Sequence, residues 1–469
     1  MFRRTTIATL LGLTVSVTAC GGGGSATGTE GQAVNDPFNP ESSIVTAEAG
    51  SPGAAGSDAG AGTGSSSTGG TSGSQGGNVI VQPKAEVKAD PNESLLMSST
   101  PRAISTKFFG VSSWDTPFKP NNIGAPEGSY GIARYCAYNA SSENAATELT
   151  YLASGAASYT TFNTWVDYHR SRGSDLMVQV YMNKFGSATS LNQSQWNEVK
   201  AKYEEFLDKA AGRVKYVVLA NEPLFAGTQG DNPGEATSHG WPSRSATLYA
   251  QYARVIKQIT KARDNSIKVI GPEIMSLDSF RVSSAMAAME TSAEGPDVGY
   301  GNGANTKMKD WIDIFSFHAY YYTGGTFAPS DGGFSLINAL KGELAKIGYK
   351  GPIWQTEYMR TYAGMYNDSW ATIVEQIGRR HAAEVATGVG HSTNFEWGSY
   401  GPNSFFDDNS ARGTTARNWW AAYVNWWKGS PIARIAQLKD GKIKVTREDG
   451  RTLLIPDNLT DGSLAPTPR

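Results

Sequence analysis

The chain has 469 residues, a formal net charge of −2 and only 18% charged residues, so the dense basic surface that marks a nucleic-acid binder is missing and no nucleic acid is expected as a partner. Its 12 Trp and 21 Tyr supply large apolar areas with polar tips, enough for a sizeable core and for stacking surfaces. The two cysteines, Cys20 and Cys136, sit in unlike settings, and no structural disulfide is expected.

The first element in chain order is a leader. Arg3 and Arg4 precede an apolar run from Ile7 to Val17 and the small residues Thr18 and Ala19, the layout of an export signal. That run is too short to cross a bilayer, and no later run reaches the required length. Val17-Thr18-Ala19-Cys20 resembles the lipobox of bacterial lipoproteins, which implies cleavage before Cys20 and lipidation of that cysteine. An ordinary signal peptide with an incidental cysteine is the alternative. The expected location is therefore outside the cytoplasm, either anchored to the cell envelope through lipid alone or secreted. Cys136 reads as a small buried apolar residue. From Gly21 to about Gly77 the chain is Gly, Ser, Ala and Thr with scattered Asp and Pro. It cannot bury enough surface to offset chain entropy, so a disordered linker is predicted, with a reach of about 40 to 45 Å. Asn78 to Pro101 is a transition.

From Ser105 onward short apolar runs alternate with longer amphipathic segments. Strands are predicted at Phe108 to Trp114, Gly131 to Tyr138, Leu176 to Asn183, Val214 to Ala220, Ile267 to Pro272, Trp311 to Tyr320, Ile353 to Thr356 and Ser392 to Trp397. Helical spacing runs through Ala146 to Arg172, Ser194 to Ala211, Leu248 to Ile259, Leu336 to Ile347 and Ser369 to Thr387. Eight strands separated by mostly helical segments point to an α/β fold, a closed parallel (β/α)8 TIM barrel. An open doubly wound sheet is the runner-up, but no Gly-x-Gly-x-x-Gly or phosphate loop follows the first strand. Beyond Trp427, Ile443 to Arg447 and Arg451 to Ile455 read as a β-hairpin joined by Glu448-Asp449-Gly450. A small sheet packed on the barrel is expected, with part of the segment before Pro101 as a candidate to complete it.

Two of the predicted strands lead into glutamates, Glu222 and Glu357. Loops that follow barrel strands open on one face, so these two carboxyls face one another across the mouth. Glycoside hydrolysis uses such a pair, an acid to protonate the departing oxygen and a carboxylate to attack the anomeric carbon or activate water. Two neighbouring carboxyls also push one pKa upward, which keeps a proton donor beside an ionised partner. Glu273 and Glu396 compete for these roles. If Trp397 faces the mouth, Glu396 must point away, and Glu273 reads as a supporting group or substrate contact. No Gly-x-Ser-x-Gly elbow supports serine hydrolysis. The five histidines, at 169, 239, 318, 381 and 391, show no ligand spacing; no metal and no cofactor is expected.

Asn221-Glu222-Pro223 closing a fourth strand and Trp354-Gln355-Thr356-Glu357 closing a seventh resemble the clan A glycoside hydrolases, the (β/α)8 group that includes families 5 and 39. The resemblance spans about Phe108 to Trp427. It implies that Glu222 is the general acid/base, that Glu357 is the nucleophile, and that anomeric configuration is retained. It also implies that Asn221 bonds the sugar 2-hydroxyl. His318-Ala319-Tyr320 is similar to the His-x-Tyr in which the aromatic hydroxyl holds the nucleophile. Arg134 is placed like the arginine beneath the nucleophile, although a purely structural ion pair fits it equally. Trp397 resembles the tryptophan that floors the central sugar site. Asn183 is either a sugar ligand or a surface-loop residue.

Three long segments follow strands: Leu224 to Ser245 with Trp241, Tyr321 to Gly333, and Ser399 to Thr415 with Tyr400, Phe405 and Phe406. They suggest a polymer lying on exposed rings, the alternative being rings that pin down their own loops. The expected protein is a monomeric retaining O-glycosyl hydrolase, endo-acting on β-glycosidic bonds of a polysaccharide or oligosaccharide. A catalytically inactive surface lipoprotein that binds glycans is the alternative. The expected division is a signal peptide (1–19), a lipidated cysteine and linker (20–100), a catalytic barrel (101–430) and a small β extension (431–469).

Overall fold

The computed structural model describes residues 91–97, 100–113, 126–135, 156–180, 188–223, 225, 245–319, 330–358, 369–395, 411–459 and 464. Twelve strands occur among them: β1 Glu93–Met97, β2 Phe109–Ser113, β3 Ile132–Tyr135, β4 Asp175–Gln179, β5 Tyr216–Val218, β6 Lys268–Ile274, β7 Ile314–His318, β8 Ile353–Glu357, β9 Ser392–Phe395, β10 Ile432–Leu438, β11 Ile443–Arg447 and β12 Thr452–Ile455. The α-helices are α1 Ala156–Ser171, α2 Gln193–Ala210, α3 Ala246–Arg263, α4 Ser279–Met289, α5 Phe334–Lys346, α6 Trp370–Thr387 and α7 Ala411–Lys428.

Strands β2 to β9 form a closed parallel barrel in which each pairs with the next. Strand β9 returns to β2 through pairs running from Phe109 with Ser392 to Ser112 with Phe395. The fold is therefore a (β/α)8 TIM barrel. Its strands are covered on both faces, which is why they read as nearly unbroken apolar runs. Helix α2 shows the complementary pattern, burying Trp196, Val199, Tyr203, Phe206, Leu207 and Ala210 along one stripe. It starts at a capping box in which Asn192 and Gln195 each accept the other's backbone N–H.

The core has two layers. The larger lies between barrel and helices and includes Phe109, Trp165, Trp196, Tyr203, Phe315 and Trp420. The smaller fills the barrel interior with Ile132, Met177, Val218, Ile270, Ile314 and Trp354. Side chains two positions along a strand share a face. One step toward the strand C-termini, the inward positions of β3, β4, β7 and β8 are therefore Arg134, Gln179, Ser316 and Thr356, all buried. The barrel interior thus changes from apolar to polar along its axis, and the polar end is where the candidate site forms.

A second, antiparallel sheet has the order β1-β10-β11-β12. The turn between β11 and β12 places Gly450 at φ +83°, a left-handed conformation that suits glycine. Helix α6 packs on this sheet. A side chain at Gly378 of α6 would meet Leu459 Cδ1 at 2.7 Å, so the end of the Leu459 side chain would have to give way to it. Strand β1 comes from within the 20–100 stretch, so part of that stretch is ordered structure.

Several details differ from the predicted elements. Helices α4 and α7 and strand β10 are additional to them. In α4 the buried Val282, Ala285, Met286, Ala288 and Met289 are interspersed with Ser and Ala, which blurs the helical period, and the side chain of Asp278 starts the helix by accepting from Arg281 N at 2.9 Å. Trp311, predicted inside the sixth strand, caps a short 3-10 turn at Met308–Asp310, and the strand begins only at Ile314. The end of the predicted Ser399 to Thr415 loop is helical from Ala411. Among the described residues no helix is long and apolar enough to cross a membrane.

Candidate active site

Arg134 is the hub. Strand β3 carries it into the barrel with its guanidinium fully buried. Its Nη1 donates to Glu357 Oε2 at 2.6 Å. Its Nη2 donates to Glu273 Oε2 at 3.0 Å and to Asn221 Oδ1 at 3.1 Å. Gln179, ending β4, repeats the second pairing, with Nε2 donating to Glu273 Oε2 at 2.8 Å and to Asn221 Oδ1 at 3.1 Å. A planar fork of donors suits this task, since it holds two carboxylates in fixed directions at once.

The backbone around the acids is irregular. Glu222 has φ +45° and Glu273 φ +49°, a left-handed region that costs a non-glycine residue about 1 to 3 kcal/mol and concentrates at functional sites. Register between β6 and β7 shifts between Gly271 and Ile274, which turns Glu273 out of the regular ladder. Its N–H then donates to Ser316 Oγ at 3.0 Å. Pairing of β7 with β8 shifts so that His318 lies opposite Glu357.

His318 completes the group. Its Nδ1 lies 2.7 Å from Glu222 Oε1 and 4.0 Å from Glu357 Oε1, and its Nε2 lies 3.6 Å from Glu273 Oε2. One ligand-type atom from each of Glu222, His318 and Glu357 lies within 4.8 Å of the others. Burial disfavours a charged imidazole, yet Glu357, Glu273 and Glu222 outweigh it and hold the His318 pKa up at about 10. Burial likewise works against ionised Glu273, but Arg134 and His318 overcome it and keep that carboxyl at about 2. Within the trio, Glu222 and His318 pair directly in a buried cluster. Among the described residues the charged groups gathered here are Arg134, His318 and the carboxyls Glu222, Glu273 and Glu357.

The structure therefore brings together Glu222, Glu357, Asn221, His318 and Arg134 from the predicted set. Asn183, Tyr320, Trp241, Trp397 and Cys20 lie outside the described residues, as do Cys136, Glu396, Tyr400, Phe405 and Phe406. Gln179, Ser316 and Thr356 were not anticipated, and Glu273 is a central member of the cluster. The signal for Gln179 was its spacing of two from Met177, the same step that separates Arg134 from Ile132.

A second buried polar group braces the rim from outside the barrel. Arg380 of α6 donates through Nη2 to Asn394 Oδ1 at 2.6 Å, covers the ring of Tyr358 at 3.6 Å and lies 3.5 Å from Glu384 Oε1. It thus touches the residue next to Glu357 and a residue of β9. Burial raises the Glu384 pKa to about 7 against the opposing pull of Arg380, Ser392 and Arg102.

No family model matches the chain, and no curated protein does. Among solved structures the chain is similar to a glucosidase from Croceicoccus marinus, at 12% identity over 77% of this chain and 83% of that one, with a TM-score of 0.45. It is similar to a bacterial orthologue of human α-L-iduronidase, at 12% identity over 76% of this chain and 60% of that one, with a TM-score of 0.48. It is also similar to the catalytic domain of an endoglucanase from Thermobifida fusca, at 15% identity over 67% of this chain and 92% of that one, with a TM-score of 0.40.

Proposed function

We propose that this chain is a retaining glycoside hydrolase that cleaves β-glycosidic bonds within a polysaccharide, with Glu222 as general acid/base and Glu357 as nucleophile. The observation that carries the reading is the separation of the two carboxyls, an oxygen of each within 4.8 Å at the C-terminal end of the barrel. Double displacement uses about 5 to 5.5 Å, whereas an inverting pair needs about 6.5 to 9.5 Å to seat a water.

Each role follows from the contacts. Arg134 holds Glu357 Oε2 and so keeps this carboxyl ionised, while Oε1, on the His318 side, attacks the anomeric carbon. Glu222, as general acid, passes a proton to the departing glycosidic oxygen. The resulting Glu222 carboxylate then draws a proton from water, which attacks the glycosyl-enzyme and restores the resting state. Asn221 is fixed through Oδ1 by Arg134 and Gln179, and in this reading its side chain meets the sugar hydroxyl beside Glu357. Asn183, Tyr320, Trp241 and Trp397 belong to the same reading as sugar contacts. So does export as a monomer whose barrel is tethered to the envelope through lipidated Cys20.

The test is product analysis on a panel of polysaccharides, with the anomeric form of the first product followed by proton NMR. Release of the β-anomer supports double displacement. Release of the α-anomer, or hydrolysis that survives Glu357→Gln, overturns the reading.

A further inference from the structure

Among the described residues three carboxyls enter this site, and the proposed reaction uses two. Glu273 is fully buried, and its Oε2 receives Arg134 Nη2 and Gln179 Nε2. The same oxygen stands 3.6 Å from His318 Nε2, on the side of the ring opposite the Nδ1 that meets Glu222 Oε1 at 2.7 Å. A neutral imidazole has one N–H and one lone pair. A lone pair on Nε2 would face an ionised carboxylate, so the proton on that nitrogen is favoured. The other nitrogen then shares its proton with Glu222. The charged groups facing His318 come from three directions: Glu222 after β5, Glu273 from β6 and Glu357 from β8, with Arg134 from β3 bridging the last two.

We propose that Glu273 is a positioning residue that pins a proton on His318 Nε2, keeps the ring an imidazolium, and thereby aims Nδ1–H at the acid/base Glu222. The inference rests on the reading of Glu222 as acid/base but is measured without substrate. Through Arg134 the same carboxylate also sets the angle of the guanidinium on Glu357, so one side chain that touches no reacting atom orients both reacting ones. The left-handed backbone at Glu273 and the register shift beside it are the local distortion that brings its carboxylate to this place.

The experiment follows the ring nitrogens of His318 by NMR in full-length protein labelled with 15N-histidine, from about pH 5.5 to 8.5, the span in which an ordinary histidine titrates. The His318→Asn protein identifies the signal. In the wild type both nitrogens should stay protonated throughout; in Glu273→Gln they should titrate inside the window, and in Glu273→Asp, which keeps the charge, they should again stay protonated. A wild-type ring that is neutral at pH 7, or a Glu273→Gln ring as unresponsive as the wild type, overturns the inference. Should the amide variant not fold, the wild-type and Glu273→Asp spectra still decide, because a titrating ring in Glu273→Asp contradicts it. Hydrolysis unaffected by Glu357→Gln alongside the expected spectra would overturn the proposed function and leave the imidazolium assignment standing.

Discussion

Arg134 and Glu357 are 223 residues apart in the chain and meet at 2.6 Å inside the barrel, both side chains fully buried. Breaking a buried pair leaves an uncompensated charge, at a cost of about 3 to 5 kcal/mol. Arg134→Met should therefore lower stability by that order in denaturant unfolding. Arg134→Lys keeps the charge but cannot reach Glu357, Glu273 and Asn221 together, so it should fold while losing about tenfold or more in kcat. A lysine variant with wild-type kcat would remove Arg134 from the machinery.

Glu357 and Glu222 should fail differently. Glu357→Gln removes the attacking oxygen and should abolish turnover on every substrate by several orders of magnitude. Glu222→Gln should lower kcat/KM about 10²- to 10⁴-fold on a natural linkage. It should cost far less in the first step on an aryl glycoside whose leaving group departs without a proton. Equal losses on both substrate types would mean that Glu222 is not the proton donor.

Glu384 gives a pH prediction. Its folded pKa of about 7 lies above the ordinary value of 4.5. The protonated form thus supports folding fully below pH 4.5, and that support is lost as pH rises through 7. The full effect is roughly 3 kcal/mol. Glu384→Gln mimics the protonated form, and Arg380 keeps Asn394 and Tyr358. The melting temperature of the variant relative to wild type should rise between about pH 5 and pH 8; a constant difference would show that Glu384 does not titrate there.

Lipidation of Cys20 is tested by detergent-phase partitioning of the chain expressed with its leader. Wild type should enter the detergent phase and Cys20→Ala the aqueous one. Equal partitioning of the two would end the lipoprotein reading.

The barrel was legible because parallel strands covered on both sides must be apolar along their length, so β2 to β9 stand out as runs such as Val214 to Ala220. Lengths were less legible: β5 spans only Tyr216–Val218, because apolar character extends past the last ladder bond. Glu222 and Glu357 could be found as acids at strand ends. Gln179 could not be ranked, since whether a strand-end residue points inward depends on how eight strands close. Glu273 was placed on the margin for a related reason: the shift between Gly271 and Ile274 that brings it to Arg134 is a property of pairing with β7, and nothing local to its own strand announces it.

The small sheet joins β1, Glu93–Met97, to β10, Ile432–Leu438. During synthesis β1 leaves the ribosome before any barrel strand, yet the segment it pairs with emerges only after the last barrel helix. Its backbone amides must stay solvated while hundreds of residues are added, and loop closure over that distance is entropically slow to be rewarded. The last step of folding is thus expected to be a clasp between the two flanks of the barrel, added once the eight-stranded cylinder is already complete.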